Sequence, residues 1–333
     1  MTHHDHENLV DLKDKKILYL LLENARMPAS AIARHVKLSK NAVPYRILRL
    51  VEREVIWKFC PIINYRKLGM QACDIFIKLH TNARRESEIK DYFKSHSNLV
   101  SASRLFGKFD YFLQIIVKDF ADFEKIWEEI VDFLGDDLDY YEAKLVTKQI
   151  KIDYQMFHDT KINYKYKPVA VDYSRIARLD KLDKKIISYL NEVSAIAKFQ
   201  DVGKSAGASL ETTRNHINKL IADGVITRFV PFVKHKKIGL AQFLIMINFK
   251  HFTNEVETEV ARFIRNSDNI RLAFKTLAKP EVYFWAAAPG HFVMQELLAG
   301  LKSRFYDLIL SAEIMPITED ITLNLFPRAL RDL

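Results

Sequence analysis

Apolar residues recur at helical spacing in three short segments near the start of the chain. The first, DLKDKKILYLLLENA, carries a stripe of leucine and isoleucine, and the second, ASAIARHV, follows a proline suited to a helix start. The third, LSKNAVPYRILRLVEREVI, places Val43, Ile47 and Leu50 on one face and mostly polar residues on the other. Because a tight turn separates the last two segments, the pattern predicts a helix-turn-helix unit.

A proline lies near the start of the third predicted helix. We predict that Ser39 caps this helix, so that Pro44 is its fifth residue. Proline has no backbone N–H to donate, and at this position only the bond to Lys40 is lost. Pro44 is therefore either a tolerated defect or a bend that re-aims the residues before it.

The chain repeats itself after about 170 residues. Residues 32–70 align with residues 202–240 without a gap. The shared residues include Ser39/Ser209, Ile47/Ile217, Leu50/Leu220, Pro61/Pro231 and Gly69/Gly239. A period this long does not fit a solenoid repeat. The chain therefore contains one two-domain module twice.

Beyond each helical region the sequence becomes rich in β-branched and aromatic residues, which favours strands. After the first strand-rich segment the predicted elements are helix 86–95, strand 99–106, strand 111–117, helix 121–134 and strand 140–150. This order predicts a ferredoxin-like βαββαβ sandwich of the α+β class, and the second copy repeats it. We predict helix-turn-helix domains at 9–61 and 179–231, sandwich domains at 62–152 and 232–327, and a linker at 153–178.

Composition limits the class of protein. A hydrophobic fraction of 49% over 333 residues predicts folded domains, and no apolar run approaches a membrane span. The N-terminus lacks the apolar segment of a signal peptide, so we expect a cytoplasmic protein with no membrane partner. Cys60 and Cys73 are expected to be buried, reduced thiols. The net charge of +9 favours a polyanionic partner such as nucleic acid.

Several features together resemble the Lrp/AsnC transcription regulators: the domain order, the segment LSKNAVPYRILRL, a basic strand ending in LG, and the turn GKFDY at residues 107–111. The resemblance covers nearly the whole chain, twice. It implies sequence-specific binding of double-stranded DNA, regulation by an amino acid or related small molecule, and dimerisation through the sandwich domains. Since the family usually has one module per chain, this chain would mimic a dimer and could pair further into a homo-oligomer.

Charge supports the DNA role independently of the resemblance. Residues 9–61 carry eleven Lys/Arg and five Asp/Glu, a net charge of +6, whereas residues 179–231 carry eight and six, a net charge of +2. The candidate DNA-binding residues are Ser39, Lys40, Asn41, Tyr45, Arg46 and Arg49 in the first copy, and Thr212, Arg214, Asn215 and His216 in the second. The resemblance implies an arginine at Arg46, which His216 replaces in the second copy. We therefore predict unlike half-sites, and weaker binding or a purely architectural role for the second copy.

The resemblance also implies a small-molecule site near the turn GKFD. Gly107 permits close backbone approach and Asp110 could pair with an ammonium group, with Ser101 and Ser103 as weaker candidates. A simple hairpin turn is the alternative. In the second copy the turn is AKPE, residues 278–281, which loses the glycine and gains a proline. We therefore predict at most one effector per chain.

Few other residues suggest chemistry. The tail HHDH, residues 3–6, has metal-binding residue types, but a solvated tail is the favoured interpretation. No catalytic triad, phosphate loop or pair of carboxylates can be defended, so we expect neither a metal nor a cofactor. The main alternative is an enzyme, because siroheme decarboxylases are similar to this family in domain order. A DNA binder without sequence preference is a third interpretation.

Overall fold

Both copies of the repeat fold into the same series of elements. The first copy contains α1 (Leu12–Glu23), α2 (Ala29–Val36), α3 (Ala42–Glu52), β1 (Ile56–Ile63), β2 (Gln71–Leu79), α4 (Ala83–Ser95), β3 (Leu99–Leu105), β4 (Tyr111–Val117), α5 (Phe120–Leu134) and β5 (Leu138–Ile152). The second contains α6 (Lys181–Glu192), α7 (Phe199–Ala206), α8 (Leu210–Ala222), β6 (Ile226–Val233), β7 (Ala241–Phe249), α9 (Asn254–Asn266), β8 (Ile270–Thr276), β9 (Val282–Ala288), α10 (His291–Phe305), β10 (Ile309–Leu323) and a short α11 (Arg328–Arg331). The predicted α+β class and helix-turn-helix units are confirmed.

The structure is a computed structural model that describes residues 10–153, 155, 157, 162, 164 and 175–332. The histidine tail and most of the predicted linker lie outside these residues. The chain divides into two compact units. The first contains the described residues up to Asn64 and most of those from 155 to 241, and the second contains Tyr65–Asp153, residues 175–178 and the chain from Gln242 onward. The division therefore groups like domains of the two copies.

The first unit joins two three-helix domains through a pair of strands. β1 and β6 pair antiparallel. Each strand also accepts a bond from the loop after the other copy's first helix: Ala25 N donates to Phe229 O (2.9 Å) and Ala195 N to Phe59 O (3.1 Å). The Arg26 guanidinium lies 4.9 Å from the ring centroid of Phe229, and burial lowers the pKa of Arg26 to about 10. The two helix-turn-helix domains thus share one packed body.

The second unit contains both sandwiches in one closed sheet of eight strands, in the order β10-β3-β4-β2-β5-β8-β9-β7 and back to β10. The joins between the sandwiches are made by β5 and β10, each fifteen residues long. Residues 138–145 of β5 pair with β2 of the same sandwich, and residues 146–152 pair with β8 of the other. β10 likewise pairs with β7 and then β3. Closure leaves the sheet without an unpaired edge strand.

Alternate residues on the strands of the second unit face opposite sides. Ile75, Ile77 and Leu113 belong to a buried cluster that includes residues of α4 and α5. Phe76 and Phe112 point to the interior of the closed sheet, where their ring centroids lie 5.3 Å apart. The interior is therefore an apolar core shared by the two sandwiches, whose burial supplies most of the driving force for their pairing.

One buried carboxylate interrupts this apolar interior. Asp74 on β2 is fully buried and accepts hydrogen bonds from Gln114 Nε2 at 2.8 Å and from the Tyr283 hydroxyl of the other copy. Burial raises the pKa of Asp74 to about 6, although both hydrogen bonds act in the opposite direction. The positions related to this group by the repeat are Leu244, Trp285 and Phe112, which are apolar. The group therefore distinguishes the two halves of the interior.

Replacing Asp74 with asparagine is expected to change how stability depends on pH. Between the unfolded pKa near 4 and the folded pKa near 6, the folded state binds the extra proton, so Asp74 stabilises the fold below about pH 4 and this contribution is lost as the pH rises through 6. Between pH 4 and pH 7, Asp74→Asn should gain roughly 2 kcal/mol relative to the wild type. Urea unfolding at both pH values measures this, with Asp136→Asn on the surface as the control. Parallel pH profiles for wild type and Asp74→Asn would contradict the expectation.

The structure shows how deeply the two cysteines are buried and how long and apolar the helices are. Cys60 is buried as expected, whereas Cys73 is only half-buried. Burial raises the pKa of the Cys60 thiol to about 11 and that of Cys73 to about 12, so both stay protonated near neutrality. Among the described residues, no helix has the length and apolar character needed to cross a bilayer.

Candidate nucleic-acid interface

The turn between α2 and α3 sets the start of the predicted DNA-reading helix. α2 is followed by Lys37 in the left-handed region at φ 54°. Ser39 Oγ accepts a hydrogen bond from Ala42 N at 3.2 Å, and α3 begins only at Ala42. In the second copy Ser209 Oγ accepts from Thr212 N at 3.1 Å, and α8 begins directly at Leu210. The two serines thus make the same capping contact, but α3 starts two residues later.

This start explains the proline in α3. With Ala42 as the first helical residue, Pro44 is the third, not the fifth as predicted. The first N–H groups of a helix have no partner within the helix, so a proline there removes no hydrogen bond. The predicted loss of a bond to Lys40 is therefore wrong.

Arg46 lies where α3 packs against the start of α1. Its Nη1 is 2.7 Å from Asp11 Oδ2 and 2.7 Å from Asp14 Oδ1. The two aspartates also cap α1 reciprocally, because each side chain accepts a hydrogen bond from the other's backbone N–H. The bonds to Asp11 and Asp14 raise the pKa of Arg46. The structure thus gives Arg46, which we predicted to contact DNA, a role in holding α3 against α1.

His216 occupies the equivalent place in the second copy. Its Nδ1 lies 2.7 Å from Oδ1 of the fully buried Asp183, which caps α6 together with Asp180. Lys219 Nζ is 3.3 Å from the other oxygen of Asp183. His216, which we predicted to bind DNA, therefore also has an internal carboxylate partner. Sequence reasoning missed these carboxylate partners, although the Asp-x-x-Asp pattern that opens the first helix of both copies was a signal for them.

Ligand atoms of Asp180, Asp183 and His216 lie within 4.8 Å of one another, a spacing that could suit a metal ion. However, Lys219 already supplies a positive charge to Asp183. In the first copy the guanidinium of Arg46 contacts the corresponding two aspartates. The group is therefore an ion-paired helix cap, with the histidine in place of the arginine.

The outer face of α3 is basic and aromatic. Lys40 and Asn41 are exposed at its start, and Tyr45 has 62% of its surface exposed. Arg49 is half-buried, with its guanidinium 5.9 Å from the Tyr45 ring centroid. Amide and guanidinium groups can donate to base edges and phosphates. The structure thus keeps Lys40, Asn41, Tyr45 and Arg49 available for a ligand.

The outer face of α8 has a different character. Thr212, Arg214 and Asn215 are exposed, as is Glu211, which takes the place of Asn41. Ser209 and Thr212 are joined by their hydroxyls at 2.9 Å. A carboxylate repels phosphate but can accept a hydrogen bond from the cytosine amine. The outer faces of α3 and α8 therefore differ in chemistry.

The turn predicted to bind an effector has its carboxylate already engaged. Asp110 Oδ2 accepts from Leu79 N at 2.8 Å, and Oδ1 lies 3.2 Å from Lys78 Nζ. Gly107 has φ 131°, a conformation that favours glycine. Ser103 Oγ donates instead to Asp320 Oδ1 at 3.2 Å. Asp110 and Ser103 therefore have different partners. The two serines lie on β3, whereas Gly107 and Asp110 lie in the turn.

The second copy shows what this carboxylate does. Glu281 Oε2 accepts from Phe249 N at 2.9 Å, and Phe249 ends β7 as Leu79 ends β2. The same contact thus persists in a turn that has lost the glycine. Asp110 and Glu281 therefore play the same structural role: each accepts a hydrogen bond from the last residue of the first strand of its own sandwich.

The fold defines a protein with two helix-turn-helix units in one chain. Residues 10–51 match the family described as the AsnC-type helix-turn-helix domain. An uncharacterised helix-turn-helix transcriptional regulator of Pyrococcus horikoshii is 30% identical over 122 residues, which is 37% of this chain and 77% of the relative. The chain belongs to the Lrp/AsnC family of helix-turn-helix transcriptional regulators.

Two further relatives extend the comparison. The helix-turn-helix transcriptional regulator Zrp of Zymomonas mobilis is 29% identical over 126 residues, covering 37% of this chain and 82% of Zrp. The crystal structure of the siroheme decarboxylase NirDL superposes with a TM-score of 0.63 at 16% identity and covers 97% of this chain and 96% of that chain. The regulators match about one module, whereas NirDL shares the fold of the whole tandem chain.

Proposed function

We propose that this chain is a sequence-specific DNA-binding regulator of transcription, in which the first copy makes most of the contacts. The observation that carries the proposal is the outer face of α3, where Lys40, Asn41 and Tyr45 are exposed while Arg46 is held inward. Basic side chains supply affinity for phosphates, and amide and guanidinium groups supply base readout. The net charge of +6 over residues 9–61 supports the same conclusion.

The two reading helices belong to one packed unit and differ in chemistry, so the preferred site should have two unlike halves. We expect selection from random double-stranded DNA to yield half-sites whose centres are separated by a multiple of about 10 bp. Recovery of a strictly palindromic sequence would count against this arrangement. Recovery of no preferred sequence would instead favour a binder without specificity.

Replacing Arg49 with alanine should weaken DNA binding about tenfold at moderate salt, because a contact to a base or phosphate is lost. The test uses the selected DNA and titrations at two salt concentrations. Arg84→Ala is a matched control, since the Arg84 side chain is 92% exposed on α4 and, among the described residues, has an ion pair only with Glu88 on the same helix. Equal losses for Arg49→Ala and Arg84→Ala would contradict a specific role of α3.

Regulation by an amino acid remains a prediction from the resemblance. Asp110 is the predicted partner of the ligand's ammonium group, yet a ligand would have to compete with Leu79 N and Lys78 for it. Further pairing of chains into a homo-oligomer is likewise a prediction.

The likeness of the whole fold to NirDL favours one alternative, a decarboxylase acting on a tetrapyrrole. The visible absorption spectrum of the protein mixed with siroheme separates the two functions. We expect no shift in the tetrapyrrole bands and no release of carbon dioxide. A stoichiometric spectral shift with decarboxylated product would favour the enzyme.

A further inference from the structure

A groove lined by acidic and aromatic side chains lies on α5 and the neighbouring part of β5. Its chemistry differs from that of the basic outer face of α3. Its volume is about 590 Å³, within the range of sites that hold a small ligand or a few side chains. Its lining is Phe120, Ala121, Phe123, Glu124, Trp127, Glu128 and Tyr141. The groove is named here the α5 groove.

Four of the seven residues that line the α5 groove are aromatic. The ring centroids of Trp127 and Tyr141 lie 4.2 Å apart, and Tyr141 is 44% exposed. Phe120, at the start of α5, is 78% exposed. Exposed rings that lie together on a surface are typical of an interaction site.

Two carboxylates, those of Glu124 and Glu128, also belong to the lining of the α5 groove. Glu124 and Glu128 follow Phe120 at intervals of four residues, so the three side chains share one side of the helix. Both glutamates are exposed, and within the described ranges 10–153 and 175–332 neither has an ion-pair partner. Their charge is therefore available to a partner.

The surrounding segment is strongly acidic in a basic protein. Residues 119–142 contain ten Asp or Glu and one Lys, a net charge of −9, although the whole chain carries +9. The equivalent residues 290–313 of the second copy contain three acidic and two basic residues. There Glu124, Glu128 and Tyr141 are replaced by Gln295, Ala299 and Ala312. The groove chemistry is thus specific to the first copy, and its sign repels DNA.

We propose that the α5 groove binds an arginine-bearing segment of a partner protein. A guanidinium stacks on aromatic rings and forms paired hydrogen bonds with carboxylates, and the α5 groove offers both groups side by side. Charge complementarity selects a basic occupant. The contact would recruit a protein to the regulator through residues that are not part of the α3 face.

The full chain can be tested with an acetylated, amidated hexa-arginine peptide and a hexa-glutamate peptide, using calorimetry. We expect the arginine peptide to bind and the glutamate peptide not to bind. The double variant Glu124→Gln/Glu128→Gln should weaken arginine binding at least tenfold. The control Glu129→Gln/Asp132→Asn removes the same charge from the same helix outside the groove lining, and should weaken binding less than threefold.

Three results would overturn the proposal. Equal weakening in both double variants would mean diffuse charge attraction rather than a groove. Failure of the arginine peptide to bind the wild type would remove the proposed chemistry. Sedimentation could also show that the wild type self-associates and that Glu124→Gln/Glu128→Gln does not. If the wild type then failed to bind the arginine peptide, the occupant of the groove would be a second copy of the chain. DNA affinity, measured in parallel, should stay unchanged in both variants and separates this proposal from the DNA-binding function.

Discussion

Replacing Arg46 with alanine is expected to lower the free energy of unfolding by about 2–3 kcal/mol, a larger effect than for Arg49, the other arginine of α3. The guanidinium is the only cation among the described residues that contacts Asp11 and Asp14 within 4.0 Å. The Asp14 side chain is 9% exposed, so its carboxylate would be left poorly solvated and unpaired. Burial opposes ionisation of Asp11, but the bonds from Arg46 and from Asp14 N keep the pKa of Asp11 below its usual range.

Urea unfolding followed by circular dichroism measures the effect. Arg49→Ala is the matched control, because Arg49 lies on the same helix and its guanidinium, within the described part of the chain, contacts only the Tyr45 ring at 5.9 Å. We expect it to change stability by less than about 0.5 kcal/mol while it weakens DNA binding. If Arg46→Ala were instead as stable as the wild type and defective only in DNA binding, Arg46 would contact DNA, as the resemblance implied.

Replacing Gly203 with alanine is expected to destabilise the second helix-turn-helix by about 1–2 kcal/mol. An added Cβ would lie 2.6 Å from Thr213 Oγ1 and 2.7 Å from the backbone oxygen of Ala208. Thr213 is buried and its hydroxyl donates to Ser209 O at 2.8 Å, so it cannot move away freely. Overpacking of this kind costs about 1–3 kcal/mol, against a gain of at most about 1 kcal/mol in helix propensity.

The first copy supplies the control, because Ala33 and Val43 occupy the positions of Gly203 and Thr213. Ala33→Gly should cost only about 1 kcal/mol, through helix propensity and a small loss of contact. Thermal unfolding measures the loss of stability in both variants, and we expect the larger loss for Gly203→Ala. A Gly203→Ala protein as stable as the wild type would show that the turn of the second copy relaxes as far as that of the first.

Local patterns in the sequence determined the elements of this protein. The strand at 111–117 was predicted with the bounds observed, as was the second helix of the first copy, because β-branched runs and helical periodicity act over a few residues. The observed helix starts differ from the predicted ones where the capping residue lies outside the predicted span. The helix predicted to start at residue 86 begins at Ala83, because Asn82 Oδ1 accepts a hydrogen bond from Arg85 N. The repeat and the family resemblance likewise depend on residues close in sequence.

Tertiary structure alone decided which distant groups meet. The sequence of β5 predicts a strand, but its pairing with β8 of the other copy depends on two sheet edges that exist only after both sandwiches fold. Arg46 and Asp110 have side chains that could bind a ligand. In the folded chain, however, Arg46 pairs with Asp14, and Asp110 accepts a hydrogen bond from Leu79 N. An unpaired charge or backbone donor in a partly buried place is costly, so folding assigns such side chains to the nearest internal partner. Sequence thus determined the elements and the chemistry available on the α3 face, while packing decided which charges the fold uses itself.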